Sequence, residues 1–149
     1  MKGLIQREFV VDVPLARAWE HLARVEAWPS WARHVKRVTV KPAGELSIST
    51  VGHFHLGNGL KAQFTMTEFV PNSHWKWIGS FLWLTVHYDH RFEAIDHDRT
   101  KMQFIIEAKD LGFGKFILGK LYAAMYSRLL DKAIPNLVAE INAAQPMDR

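Results

Sequence analysis

The sequence predicts an α+β fold in which a curved antiparallel β-sheet wraps around one long C-terminal α-helix. Strand-like runs follow one another at hairpin spacing from Val35 to Lys109, separated by Pro42-Ala-Gly44, Gly57-Asn58-Gly59, Pro71-Asn72-Ser73 and Asp96-His97-Asp98. The last segment, Gly114 to Ala144, keeps an apolar stripe at helical spacing through Leu118, Leu121, Tyr122, Met125, Leu129, Ala133, Leu137 and Ile141. Large rings recur along the strands and oppose the Leu, Met and Tyr of that helix. Such a wall can enclose a cavity rather than a solid core.

Each element has a local cause. Leu4 to Val11 reads as the first strand. Pro14 suits the first turn of a helix, where its missing N–H costs nothing. Leu15, Ala18, Trp19, Leu22 and Val25 then follow helical spacing, with Arg17, Glu20, His21 and Arg24 on the other side. Glu26 to His34, with Pro29 near its start, reads as a second short helix or tight corner. The strands that follow are Val35–Val40, Ser47–Leu56, Leu60–Val70, His74–Trp83, Leu84–Ala94 and Arg99–Lys109. Pro135 lies well inside the final helix and is expected to kink or break it.

Size and composition set the bounds. At 149 residues, 48% hydrophobic and 23% charged, the chain fits one folded domain over 1–149. There is no cysteine, and the start lacks a basic stretch leading into an apolar run, so a cytoplasmic protein is the default expectation. The net charge of +4 is mild. Lys36, Arg37 and Lys41 group early, and Lys115, Lys120, Arg128 and Lys132 line the last helix. Without an Arg-rich run or a recognisable motif, nucleic acid is not an expected partner. Transient contact with an anionic membrane surface fits the charge better.

Several pieces carry a family resemblance. They are Val11-Asp-Val-Pro14 with Ala18-Trp19-Glu20, Val25-Glu-Ala-Trp-Pro-Ser-Trp31, Val51-Gly-His-Phe54, Met66-Thr-Glu-Phe-Val-Pro71 leading into Trp75-Lys-Trp77, and Asp89-His-Arg-Phe-Glu93. Together they resemble the START/Bet v 1-like (SRPBCC) superfamily, in particular its bacterial polyketide cyclase/dehydrase and lipid-transport branch. The resemblance implies a helix-grip fold with a cavity for a hydrophobic ligand. The family mixes carriers, sensors, cyclases and co-chaperone domains, so it does not choose among them.

Strand alternation then assigns the lining. In Leu84 to Ala94, Thr85, His87, Asp89, Arg91 and Glu93 share a charged face that must meet water, which turns Val86, Tyr88, His90 and Phe92 inward. By the same rule Phe64, Met66 and Glu68 share a face, as do Trp75, Trp77 and Phe81, and as do Met102, Phe104 and Ile106. Leu118, Tyr122, Met125 and Leu129 look back from the helix. Trp19, Trp28 and Trp31 are read as packing that fixes the early corner, and Trp83 closes a strand.

His90 carries the most chemistry. An imidazole in an apolar pocket can move a proton or bond a ligand carbonyl. The competing reading, a core histidine satisfied by Tyr88 or a backbone carbonyl, is preferred because periodicity gives no base–substrate geometry. For Glu68, a strand-end carboxylate paired with Lys or Arg is preferred to a buried acid. Tyr122 ranks above Tyr126 because only Tyr122 shares the apolar stripe.

The eight histidines contain one spacing fit for a metal, His53 and His55 at i, i+2. Nothing joins them at ligand spacing, so no metal is expected. Gly114-Lys-Phe-Ile-Leu-Gly119-Lys120 has P-loop spacing, but Leu121 stands where Ser or Thr must hold Mg²⁺. Gly112-Phe-Gly114 lacks the third glycine of a dinucleotide fingerprint, since position 117 is Ile. No cofactor is expected. Leu111 to Gly114 reads instead as a flexible lead into the helix, with Phe113–Leu118 as a gate.

The function expected first is binding of a small hydrophobic or aromatic ligand (a lipid, a polyketide-like compound or an isoprenoid), as carrier or sensor. Next comes a cyclase/dehydratase in which His90 transfers a proton and Tyr88 steadies an enolate. A co-chaperone-like interaction module is third.

Overall fold

A computed structural model describes residues 2–57, 59–81, 84–108 and 113–144. Strand β1 (Lys2–Val11) is followed by helix α1 (Leu15–Ala23), a 3-10 turn (Val25–Ser30), strands β2 (Val35–Lys41), β3 (Val51–Leu56), β4 (Lys61–Val70), β5 (His74–Phe81), β6 (Leu84–Asp96) and β7 (Arg99–Ala108), and helix α2 (Phe113–Ala143). The strands form one antiparallel sheet in the order β1-β7-β6-β5-β4-β3-β2. Strands β2 to β7 thus run as a meander, and β1 closes on the last of them. With α2 against its inner face, the sheet makes the helix-grip arrangement.

Most boundaries follow the turn chemistry. Pro14 stands one residue ahead of α1, in extended conformation, and its carbonyl accepts from the Arg17 and Ala18 amides at 3.0 and 3.1 Å. Trp28 Nε1 donates to the Leu22 carbonyl at 2.8 Å, satisfying one of the groups that the end of α1 leaves open. Asn72 takes a left-handed φ of 61° in the β4–β5 turn, a conformation Asn tolerates better than most residues. Asn58, in the preceding hairpin, lies outside the described residues.

Several ends shift by a residue or more, β1 starting at Lys2 and β6 running on to Asp96, and the start of β3 shifts by four. Ser47 to Thr50 does not open β3. The Ser47 amide donates to Thr50 Oγ1 at 2.9 Å, the Ser49 amide to Ser47 Oγ at 3.2 Å and the Thr50 amide to the Ser47 carbonyl at 3.1 Å. These local hydroxyl bonds outcompete the ladder, so pairing starts only at Val51.

Helix α2 runs unbroken through Pro135. Its second half is tied to the early elements by polar contacts. Arg7 Nε meets Asp131 at 2.9 Å, Ser30 Oγ and His21 Nε2 meet Glu140 at 2.7 Å each, and Asn142 Oδ1 accepts the Asp12 amide at 2.8 Å. Among the described residues, no helix is long and apolar enough to cross a membrane.

The core holds one buried hydroxyl that can be tested directly. Thr100 is fully buried and its Oγ1 donates to the Val13 carbonyl at 2.9 Å, closing the segment between β1 and α1 onto β7. Thr100→Val removes the donor and leaves that carbonyl unsatisfied. A loss of about 1–2 kcal/mol is expected, read as a lower urea midpoint at unchanged slope. An unchanged midpoint would mean that the carbonyl finds another partner.

Candidate functional site

Between the sheet and the first half of α2 lies a cavity of about 150 Å³. One wall comes from the strands, with Phe54, Phe64, Trp77, Tyr88, His90, Phe104 and Ile106. Helix α2 supplies Tyr122, Met125, Tyr126, Leu129 and Leu130. The corner after α1 supplies Trp28, Trp31, Ala32, His34 and Val35. Register explains the strand wall, because Met66, Trp77, Tyr88 and Ile106 pair across four strands in one inward row, and Trp75, His90 and Phe104 form the next. Gly79 sits in the wall between Phe64 and Val86, and its missing side chain leaves room beside Tyr88.

His90 is enclosed by rings. It stacks on Trp75 at 4.8 Å between centroids and 23° between planes, meets Trp77 edge-on at 4.8 Å, and has Phe104 at 5.6 Å and Trp28 at 5.8 Å. Its Nδ1 lies 3.3 Å from the Trp75 carbonyl. A carbonyl only accepts, so Nδ1 carries the hydrogen and Nε2 is left as an acceptor. Burial pushes the imidazole down from 6.5 to about 3, only partly offset by the Trp75 bond. The ring is therefore neutral at physiological pH.

The second polar feature joins sheet to helix. The Tyr88 and Tyr122 hydroxyls lie 2.5 Å apart, Tyr126 stacks on Tyr122 at 5.4 Å, and His34 meets Tyr126 edge-on at 6.1 Å. Burial raises the Tyr88 phenol to about 12 and lifts Tyr122 and Tyr126 above the ordinary range, so these phenols stay protonated. Burial also lowers the His34 imidazole.

The expected lining residues divide accordingly. Phe64, Trp77, Tyr88, His90, Phe104, Tyr122, Met125 and Leu129 come together around the cavity. Met66, Trp75 and Phe92 are buried behind it, where Trp19 of α1 packs edge-on to Trp75 at 5.1 Å. Leu118 packs on the core without lining the cavity. The Phe81 side chain, Trp83 and the Leu111–Gly112 lead into α2 lie outside the described residues, as do the side chains of Phe113 to Phe116 in the expected gate.

Two placements are corrected. A bulge between Met66 and Glu68 breaks the alternation of β4, so Glu68 turns outward, exposed, and hydrogen-bonds His74 instead of facing the cavity. That bond, aided by Lys76, His74 and Arg91, lowers its pKa despite slight desolvation. Asp89 does not meet water. It is buried at 6% exposure between Lys76 and Ile105 on the neighbouring strands, with Oδ2 2.7 Å from Arg91 Nε.

Trp28, Trp31, His34 and Tyr126 are lining residues that periodicity missed. The paired tryptophans around Pro29 were the available signal, but alternation says nothing of where a corner folds. His53 and His55 lie 6.5 Å apart between ring centroids, and no group of three metal-binding side chains forms among the described residues. Local desolvation and the charges of Arg37, Lys61 and His53 lower the His55 pKa.

Residues 3–142 match the family described as polyketide cyclase / dehydrase and lipid transport. The chain belongs to this family. No curated protein matches it. Among solved structures, the chain is similar to Zhui aromatase/cyclase from Streptomyces sp. R1128, with 14% identity over 92% of each chain and a TM-score of 0.68. It is also similar to a START superfamily protein from Mycobacterium smegmatis, at 16% identity, 92% and 97% coverage and a TM-score of 0.65. A hypothetical protein from Helicobacter pylori gives 18% identity, 91% and 85% coverage and a TM-score of 0.72. At these identities the likeness speaks for the fold. Family and cavity together support a ligand-binding or cyclase role.

Proposed function

We propose that this protein binds a small apolar or aromatic molecule in the cavity between sheet and α2, as a carrier or sensor. The observation that carries the reading is a space walled by Trp28, Trp77, Phe64, Phe104 and Leu129 and interrupted only by a few polar tips. Apolar burial supplies the affinity in such a site, and the polar tips set orientation. A volume near 150 Å³ corresponds to a cavity that accepts a benzene ring, so one aromatic group fits without rearrangement.

Proton transfer is the weaker assignment for His90. A base with a pKa near 3 gives little driving force for abstraction at neutral pH, while a general base works best near the operating pH. Tyr88, protonated up to about 12, serves better as a hydrogen-bond donor than as an acid.

Ala62→Phe tests the reading. Ala62 lines the cavity from β4, and a phenyl group there fills the space a ligand would take. Native mass spectrometry of freshly purified protein is expected to show a retained organic molecule that the variant has lost. Both proteins should keep the same circular dichroism spectrum. Retention of the same molecule by the folded variant would place it elsewhere.

A further inference from the structure

We propose that the cavity selects uncharged aromatic ketones and phenols, with the Tyr88–Tyr122 pair recognising the ligand oxygen, and that it rejects the matching carboxylates. This rests on the cavity being a ligand site at all.

Among the described residues the lining contains no Lys or Arg. A carboxylate moved into such a space gives up its water and finds no cation in return, a cost of several kcal/mol per ion. The two imidazoles in the wall, His34 and His90, do not supply one, since burial holds both below the ordinary histidine range. Asp89 is the one acidic residue among the lining positions; Arg91 on the other face of β6 holds its Oδ2, while its Oδ1 is buried without a hydrogen-bond donor among the described residues and offers a carboxylate nothing to bind.

Hydrogen bonding then selects among neutral ligands. The Tyr88 and Tyr122 hydroxyls meet across the cavity, one from the sheet and one from the helix, at 2.5 Å. Each hydroxyl offers one hydrogen and two lone pairs. When Tyr122 donates to Tyr88, the Tyr88 hydrogen is left for a ligand carbonyl. Burial keeps both phenols protonated and therefore able to donate. On the adjacent inward row, His90 Nε2 is an acceptor, which suits the hydroxyl of a phenol. A ligand with no oxygen leaves these groups as they are and gains apolar burial alone.

Acetophenone, ethylbenzene and benzoate differ in these respects and little in size. Binding is read from the indole ¹H–¹⁵N signals of Trp28, Trp31 and Trp77, which line the cavity, with Trp19, which packs outside it, as the internal control. Acetophenone is expected to bind at least tenfold more tightly than benzoate and severalfold more tightly than ethylbenzene. Tyr88→Phe should bring acetophenone to the level of ethylbenzene and leave ethylbenzene unchanged, and Tyr122→Phe serves as the second variant. Equal affinity for benzoate and acetophenone would overturn the charge selection. Equal affinity for acetophenone and ethylbenzene, or no response to either variant, would overturn the oxygen recognition. If none of the three moves the lining indoles, the cavity itself is not a ligand site.

Discussion

Gly52→Ala is expected to lower folding stability by about 3 kcal/mol, the upper end for an overpacked core, although it adds a single methyl group. A Cβ at Gly52 would lie 2.3 Å from Phe64 Cζ and 2.5 Å from the Thr39 carbonyl oxygen. The carbonyl belongs to the paired strand β2 and retreats only if the ladder opens. The phenyl ring is 1% exposed and held between Trp77 at 4.2 Å and Phe54 at 4.9 Å. Phe64 would therefore have to give way toward the cavity it lines. Gly3→Ala in β1 is the matched control. Nothing lies within 4 Å of its Cβ, so the change should be neutral or stabilising by up to about 1 kcal/mol. Urea midpoints compare the two directly. Equal midpoints would show that β2 and Phe64 yield at little cost.

Stability is also expected to fall as pH drops below 6.5, with His90 as a main cause. The unfolded chain protonates this imidazole near 6.5, while the folded chain keeps it neutral down to about 3. Between those values the unfolded state binds more protons, so stability rises with pH by up to about 1.4 kcal/mol per pH unit for one such group. Its contribution is complete above 6.5 and lost progressively on the way to 3. His34, also lowered by burial, acts in the same direction. The ion-paired carboxylates of Glu93, Asp96 and Asp131 are held below their ordinary values of 4.5, 3.8 and 3.8, so their contributions are present above those values and lost beneath them. The window from 6.5 to about 5 therefore belongs to the histidines. His90→Gln should flatten the stability profile there, measured by chemical denaturation at half-unit steps. A variant with the wild-type slope would show that the folded ring already takes up its proton in that window.

Much of this molecule was legible in its sequence because alternation and helical spacing are local. Tyr88 and His90 face inward because strand alternation puts His87, Asp89 and Arg91 on the opposite face of β6, and Leu129 and Tyr122 follow the helical stripe. The failures have specific physical origins. The Ser47 and Thr50 hydroxyls take up the amides of Ser49 and Ser47, so that stretch turns locally before the ladder begins. At Glu68 one bulge shifts the period of β4 and turns the carboxylate outward. Asp89 is buried on the face assigned to water, where Arg91 two residues on in the same strand gives its Oδ2 a partner that alternation does not reveal. Trp28, Trp31 and His34 reach the cavity through the path of a corner, which no periodicity describes. Tyr126 lies just off the apolar stripe yet still stacks on Tyr122, because a cavity draws on a wider arc of helix than a packed seam does.

The uneven tethering of α2 has a mechanical consequence. Its polar links to β1, α1 and the corner fall between Asp131 and Asn142, while the cavity lies under the half around Tyr122 to Leu130. Across that half, a phenol pair holds the helix to β6. Among the described residues, α2 is thus held by a cluster of polar links on one side of the cavity and by a phenol pair directly over it. Tyr88→Phe is therefore expected to speed amide exchange around Tyr122 to Leu130 more than between Asp131 and Asn142.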